Sequence, residues 1–313
     1  MGMKVFFLDR VHPVLQERLT KCGYACVDAT NLSVEDFKSC GEEVEGIVLR
    51  ARIYLNEETL LHFPNLKFIA RSGSGLENID TYFCKENNIQ LFNSPEGNRN
   101  AVAEHALGML LSLMNKFPQA QEQIREGFWK REENRGEELS GKTVGIIGYG
   151  NNGSAFAQLL KGFNLRILAY DKYKFNFGDN HVQESTLDAL REHADVLSLH
   201  IPQNRETLGF VNTAFISSFA KPFYLLNLSR GKIVNTIDLV AALKTEKIKG
   251  AGLDVLEYES KDFENMVDSS EALNYLCHAN NVILTPHVGG WTKESYHKLS
   301  AVLADKIIEY FAS

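Results

Sequence analysis

The hydrophobic positions of this chain fall into two alternating kinds of block. Mostly apolar runs at residues 4–8, 26–29, 46–49, 66–70 and 90–92 predict short strands. Between them, at 12–22, from Ser33 onward and from Asn56 to His62, apolar residues recur at helical spacing. Pro13 suits a first helical turn, and Ser33 and Asn56 suit N-caps. A strongly apolar helix at 101–115 follows, which Pro118 resets, and then a charged run that reads as solvated surface with Trp129 packed beneath it. The alternation then resumes, with strands at 144–147, 165–170, 196–200, 224–227, 251–255 and 282–284. Helices lie between these strands, the clearest at 237–244, and a last helix at 293–311 is expected to return to the first series. Such alternation predicts parallel sheets covered by helices on both faces. Two series within 313 residues predict an α/β protein of two doubly wound parallel-sheet domains.

One turn in the second series carries chemistry. The strand at 144–147 runs into Gly148-Tyr149-Gly150-Asn151-Asn152-Gly153, and a helix with Phe156, Leu159, Leu160 and Phe163 on one side follows. Gly148 allows the tight turn, Gly150 lets the backbone approach a pyrophosphate, and Gly153 lets the helix pack on the strand. The N–H groups at the helix start, with Asn151 and Asn152, then face the phosphates. Asp171 closes the next strand at the usual distance of about 20 residues, where a carboxylate accepts hydrogen bonds from an adenine ribose diol. Together these parts predict dinucleotide binding. A carboxylate repels a ribose 2′-phosphate, so the expected cofactor is NAD rather than NADP. Lys172 and Lys174 are the residues able to soften that repulsion.

Composition narrows the partners. A net charge of −7 offers no general attraction to nucleic acid or an anionic membrane. No apolar run reaches the length of a membrane span, and the start MGMKVFFLDR lacks a signal-peptide layout, so the cytoplasm is the expected location. The cysteines at 22, 26, 40, 84 and 277 are odd in number and scattered, as for reduced thiols. Cys22 and Cys26 have no second pair beside them, and no metal site is expected.

Three further pieces stand near the carboxyl ends of predicted strands: Asn227-Leu228-Ser229-Arg230-Gly231, Asp254-Val255-Leu256-Glu257-Tyr258-Glu259, and Thr285-Pro286-His287-Val288-Gly289-Gly290. Taken singly, each has an ordinary explanation: an ion pair, an acidic turn, a histidine in a loop. In this order with GIIGYGNNG, LHIP at 199–202 and the NSPEGNRNAVAEHALGML run at 93–110, the chain resembles the D-isomer-specific 2-hydroxyacid dehydrogenases over nearly its whole length. Within that family it looks most like the D-3-phosphoglycerate dehydrogenases. The resemblance implies a Rossmann NAD-binding domain at 100–287, inserted in a flavodoxin-like substrate domain formed by 1–99 and 288–313. It implies His287 as acid/base, Glu259 as its carboxylate partner and Arg230 as the substrate clamp. It also implies Asp254 near the nicotinamide, Leu228, Ser229, Gly289 and Gly290 lining the cofactor site, and His200 and Pro202 beside the ribose. A homodimer formed through the NAD-binding domains is implied as well.

In the first domain, Ser72-Gly73-Ser74-Gly75-Leu76-Glu77 resembles the family's glycine loop, in which the N–H groups of Ser74, Gly75 and Leu76 would hold the substrate carboxylate. Arg50 and Arg52 bear on substrate identity. If the strand continues through them, both guanidinium groups point to one face and suit a phosphate or second carboxylate.

The match has departures. Asn152 replaces the apolar residue usual before the third glycine, and could bond a phosphate or loosen the packing. Glu77 replaces an aspartate. Ser260 follows Glu259 where the family has proline, and the longer loop after it could cover the active site or serve a dimer contact. The chain ends soon after its last helix, so a C-terminal regulatory domain is not expected. The expected activity is NAD-dependent interconversion of a D-2-hydroxy acid and its 2-keto acid, with 3-phosphoglycerate first among substrates. Glyoxylate/hydroxypyruvate reductase and D-lactate dehydrogenase are the alternatives, and an NAD(H)-sensing interaction protein is the alternative of another class.

Overall fold

The computed structural model describes residues 2–259 and 270–312. The loop beginning at Ser260, read above as a cover or a dimer contact, lies outside the described residues up to position 269. The chain forms two compact units, Met1–Arg99 with Trp291–Ser313, and Asn100–Gly290. The return to the first unit thus falls slightly later in the chain than the expected 287/288.

The first unit holds five parallel strands: β1 (Lys4–Phe7), β2 (Ala25–Asp28), β3 (Gly46–Leu49), β4 (Phe68–Arg71) and β5 (Gln90–Asn93), in the order β2-β1-β3-β4-β5. Alternation along β1 divides the core. Phe6 and Leu8 join Phe37, Ile47, Leu49 and Ile69 on one face, and Val5 and Phe7 join Leu15, Leu19 and Val48 on the other. The second face is closed by Leu303, Ala304 and Ile307 of the last helix, Lys293–Ala312. Chain order reverses between β1 and β3, so the loops after these two strands flank the switch point at which such sheets bind ligands.

The second unit holds seven parallel strands: β6 (Thr143–Ile147), β7 (Arg166–Tyr170), β8 (Val182–Glu184), β9 (Val196–Leu199), β10 (Phe223–Asn227), β11 (Ile248–Leu253) and β12 (Val282–Leu284). Their order is β12-β11-β10-β9-β6-β7-β8, with the switch point between β6 and β9. Strand β8 is absent from the sequence reading because its one buried residue, Val182, leaves no pattern to see. Both units are therefore doubly wound parallel sheets.

The apolar helix is longer than expected. It runs Pro95–Met114, because Pro95 supplies a favourable first position, and it ends before Lys116, whose φ of 54° breaks the helix. Pro118 then sits in the first turn of a new helix, Phe117–Arg125. Trp129 does not pack under the charged run: it is 81% exposed, and Phe117, Ile124 and Phe128 are exposed with it. No helix among the described residues is long and apolar enough to cross a membrane.

Glu137 ties the segment before β6 to the sheet. It accepts from Lys142 Nζ at 2.8 Å and the Tyr224 hydroxyl at 3.1 Å, and it pairs with Lys249. Burial alone would raise its pKa, but the hydrogen bonds and charges of Lys142 and Lys249 outweigh burial and hold it at about 2. A carboxyl depressed from its ordinary 4.5 stabilises the fold above that value and loses the contribution as pH falls towards 2. Because Glu137 is partly exposed, screening limits the effect to about 1 kcal/mol. Glu137→Gln should therefore lower the thermal midpoint at pH 7 by about 2–4 °C. Midpoints followed by circular dichroism should converge for the two proteins on acidification; an unchanged gap at pH 3 would refute the assignment.

Candidate functional site

The second unit's switch point is built by sterics. Gly148 follows β6 with a φ of 92°, and a Cβ there would lie 2.4 Å from the His200 carbonyl oxygen at the end of β9. A Cβ on Gly153 would lie 2.0 Å from the Gly148 carbonyl oxygen. Glycine is therefore required at both positions by the fold. At Gly150 a Cβ would meet open space, beside the first turn of the helix Asn151–Leu160. The asparagine side chain at 152 and the His200 ring each bury a polar atom, Oδ1 and Nδ1, that has no hydrogen-bond partner among the described residues. Open space over a glycine at a helix N-terminus fits the pyrophosphate of a dinucleotide.

The other cofactor candidates surround this turn. Asp171 follows β7, and its carboxylate accepts the Tyr149 N–H at 2.7 Å and the N–H groups of Tyr173 and Lys174 at 2.9 and 3.0 Å. Lys172 pairs with Glu206, and Lys174 donates to the Tyr149 carbonyl, so both lysines have partners other than Asp171. His200 Nε2 lies 2.9 Å from the Ser198 hydroxyl, and burial pushes its pKa down to about 4, which keeps the ring neutral at physiological pH. Pro202 follows in the loop after β9. Buried Ser229 donates its hydroxyl to the Leu199 carbonyl at 2.6 Å and fastens the Leu228–Ser229 turn to β9.

The candidate catalytic residues converge by similar means. A Cβ on Gly231 would lie 1.8 Å from the Leu256 carbonyl oxygen, so the backbone after Arg230 abuts the turn that carries Glu259. Nδ1 of His287 is 2.9 Å from Oε2 of Glu259, whose other oxygen accepts the Leu256 N–H. His287 has a φ of 53°, a conformation that costs a side-chain-bearing residue on the order of 1–3 kcal/mol. Asp254 holds it there. That residue is 2% exposed; Oδ1 accepts the Val288 N–H at 2.8 Å and the Thr285 hydroxyl at 2.6 Å, and Oδ2 accepts the Gly289 N–H at 2.8 Å. A Cβ on Gly289 would collide with Oδ2 at 2.8 Å. The Asp254 carboxylate thus anchors the histidine turn, a function the sequence reading did not give it. His105, 3.0 Å from the Thr285 hydroxyl through Nε2, joins this network and was also missed. Its one sequence signal is a histidine inside an otherwise apolar helix.

In the first unit, the N–H groups of Ser74, Gly75 and Leu76 donate to no acceptor among the described residues, whereas the loop's carbonyls and hydroxyl are engaged. Asn93 donates to the Ser74 carbonyl, the Ser74 hydroxyl donates to Asn98, and Arg71 Nη1 donates to the Gly75 carbonyl at 2.7 Å. Arg71, buried at the end of β4 and 3.9 Å from Glu77, ties this loop down, and the sequence reading did not single it out.

Arg50 and Arg52 do not form the pair expected from the sequence. Strand β3 ends at Leu49, so Arg50 and Arg52 are not on an extended segment and do not share a face. The Arg52 guanidinium donates to the carbonyls of Leu8, Leu32 and Ala29, and it lies 3.6 Å from Asp9. It is a structural clamp. Arg50 places its guanidinium over the Trp291 ring instead. No cluster of three or more His, Cys, Asp or Glu side chains suited to a metal ion occurs among the described residues.

Known proteins resemble this chain in sequence and fold. Residues 107–289 match the D-isomer specific 2-hydroxyacid dehydrogenase, NAD binding domain. A D-3-phosphoglycerate dehydrogenase of Archaeoglobus fulgidus is 31% identical over 308 residues; these are 98% of this chain but 57% of that protein, so the chain spans little more than half of its length. A hydroxypyruvate reductase of Thermotoga maritima is 32% identical over 90% of each chain. The structure of an Aquifex aeolicus D-lactate dehydrogenase complexed with NAD and lactic acid superposes with a TM-score of 0.82 at 28% identity, covering 99% of this chain and 95% of that one. With the glycine turn, Asp171 and the ordered sequence motifs in place, the chain belongs to the D-isomer specific 2-hydroxyacid dehydrogenase family and carries its NAD-binding domain.

Proposed function

We propose that this chain is an NAD-dependent dehydrogenase that interconverts a D-2-hydroxy acid and its 2-keto acid, with 3-phosphoglycerate and 3-phosphohydroxypyruvate the preferred pair. The observation that carries the reading is the 2.9 Å contact between His287 and Glu259, on a strained turn that Asp254 holds. Oxidising a 2-hydroxy acid removes a hydride from C2 and a proton from its hydroxyl; reduction returns both. The cofactor's nicotinamide supplies the hydride chemistry when bound. His287 exchanges the proton at Nε2, while Glu259 at Nδ1 fixes the tautomer and stabilises the imidazolium. Arg230 orients the substrate and polarises its C2 oxygen. Asp171 takes the adenine ribose diol, and the engagement of Lys172 and Lys174 elsewhere favours NAD over NADP.

Arg50 and the D-3-phosphoglycerate dehydrogenase relatives favour the phosphorylated substrate, whereas the Thermotoga hydroxypyruvate reductase, matched over nearly its whole length, favours glyoxylate/hydroxypyruvate reduction. The exposed Phe117, Ile124, Phe128 and Trp129 of the second unit support a homodimer through that unit, and five free cysteines suit the cytoplasm.

His287→Asn should lower kcat by about 10²–10⁴-fold while NADH binding, followed by fluorescence titration, persists; full turnover in this variant would remove His287 from the reaction. Glu259→Gln should act mainly on kcat, to a smaller extent. For substrate choice, NADH oxidation is measured with 3-phosphohydroxypyruvate, hydroxypyruvate, glyoxylate, pyruvate and 2-oxoglutarate. Phosphohydroxypyruvate should give the highest kcat/KM, and Arg50→Ala should raise its KM about tenfold or more, with hydroxypyruvate little affected. If the smaller acids lead and Arg50→Ala changes nothing, the phosphoglycerate assignment fails in favour of a general reductase. NADH binding with no turnover on any acid would sink the enzyme reading.

A further inference from the structure

The loops flanking the first sheet's switch point hold two arginines that are used in opposite ways. Arg52 donates through Nε, Nη1 and Nη2 to main-chain carbonyls of Leu8, Leu32 and Ala29. Carbonyl acceptors are therefore available here, yet the Arg50 guanidinium takes none. Among the described residues its side-chain N–H donors have no hydrogen-bond acceptor. The backbone of Arg50 is nevertheless fixed on both sides: its N–H donates to Asp9 Oδ2 at 2.6 Å, and its carbonyl accepts from Arg71 Nε at 2.9 Å and Asn78 Nδ2 at 3.2 Å. Asp9 follows β1 and Arg50 follows β3, so this anchored pair sits where chain order in the sheet reverses.

Trp291 completes the arrangement. The Arg50 Cζ lies over its ring, 3.9 Å from the centroid, with the Tyr296 ring 6.0 Å away. Trp291 is 65% exposed, so its ring does not bury the guanidinium edge it supports. A guanidinium stacked on an indole loses rotamer freedom while its donors stay directed outward in the ring plane. We propose that Trp291 is a positioning residue for an oxyanion site: it holds the Arg50 guanidinium ready to fork onto the second anionic group of a 2-keto acid, a phosphate or a second carboxylate. This inference rests on the proposed 2-hydroxyacid chemistry and adds the residue that sets substrate class. An acid with a neutral side chain gains nothing from the pair, so Trp291 acts on discrimination rather than on the chemical step.

The chain has two tryptophans, so the signal of Trp291 is the part of the intrinsic fluorescence that Trp291→Phe removes. In the full chain, 3-phosphoglycerate should change that signal saturably, D-glycerate should not, and Arg50→Ala should abolish the response. D-malate, with a carboxylate in place of the phosphate, separates the two anion chemistries. In kinetics, Trp291→Ala should raise KM for phosphohydroxypyruvate roughly five- to tenfold, with kcat within about twofold and hydroxypyruvate unaffected. Trp291→Phe, which keeps an aromatic face, should recover most of this, and Trp291→Ala should add nothing in the Arg50→Ala background. Absence of a fluorescence response overturns the inference even if the enzyme turns over phosphohydroxypyruvate, and so does an equal rise in KM for both keto acids. A saturable response to 3-phosphoglycerate with no turnover of any keto acid sustains the anion site and removes the dehydrogenase reading.

Discussion

The buried carboxylate of Asp254 is the constraint on which the chemistry of the second unit rests. A carboxylate removed from water is costly unless donors replace the lost hydration. Here the donors are the N–H groups of Val288 and Gly289 and the Thr285 hydroxyl, all from the turn that carries His287. The requirement runs in both directions. Asp254 needs the turn to satisfy its charge, and the turn needs Asp254 to keep His287 at a positive φ. The His287 N–H donates to the Asp254 carbonyl as well, so one residue grips the histidine through both main chain and side chain. The ring orientation towards Glu259 thus follows from a backbone arrangement that could not relax without exposing an unpaired buried charge.

The sequence made some of this legible and hid the rest, for separable reasons. The glycine turn could be read because each glycine answers a local steric demand, and its strand, helix and acid lie within one short stretch. The depth of that demand, with Gly148 pressed on the His200 carbonyl, needed the strand order. His105, Arg71 and Asp9 went unnoticed because their roles depend on partners brought close by the sheets rather than by sequence spacing. The reading of Arg50 and Arg52 as a matched pair failed on a single assumption, that β3 runs past Leu49. Trp129 was misjudged because a large aromatic beside charges suggested a buried anchor, whereas it projects from the surface.

Hydrogen-bond accounting distinguishes arginines that composition treats as equals. Arg52 meets three carbonyls and the Asp9 carboxylate, so its charge is balanced within the loops it holds together. Arg71 donates to the Arg50 carbonyl and the Gly75 carbonyl and pairs with Glu77, which ties the glycine loop to the end of β3. Arg50 is held by its backbone and by an aromatic face, with donors that no described residue accepts. A rigid, unsatisfied donor set is what anion recognition requires, because ordering costs are met before the ligand arrives.

The same rule of topology produces both ligand-facing regions. In each sheet the strands on either side of the order reversal send their following loops apart, and a polar ligand finds main-chain N–H groups and strand-end side chains there. In the second unit that place is filled by glycines, because a pyrophosphate must come close to the backbone. In the first unit it is occupied by Asp9, which holds the Arg50 backbone, by Arg52, which is spent on main-chain carbonyls, and by Arg50, the side chain on which the proposed anion site rests. The sheets fix where recognition happens, and the loop residues decide what is recognised. Proteins named for lactate, hydroxypyruvate and phosphoglycerate each match this chain at about 30% identity, as expected where the chemistry is set by sites carried on a common fold rather than by the fold itself.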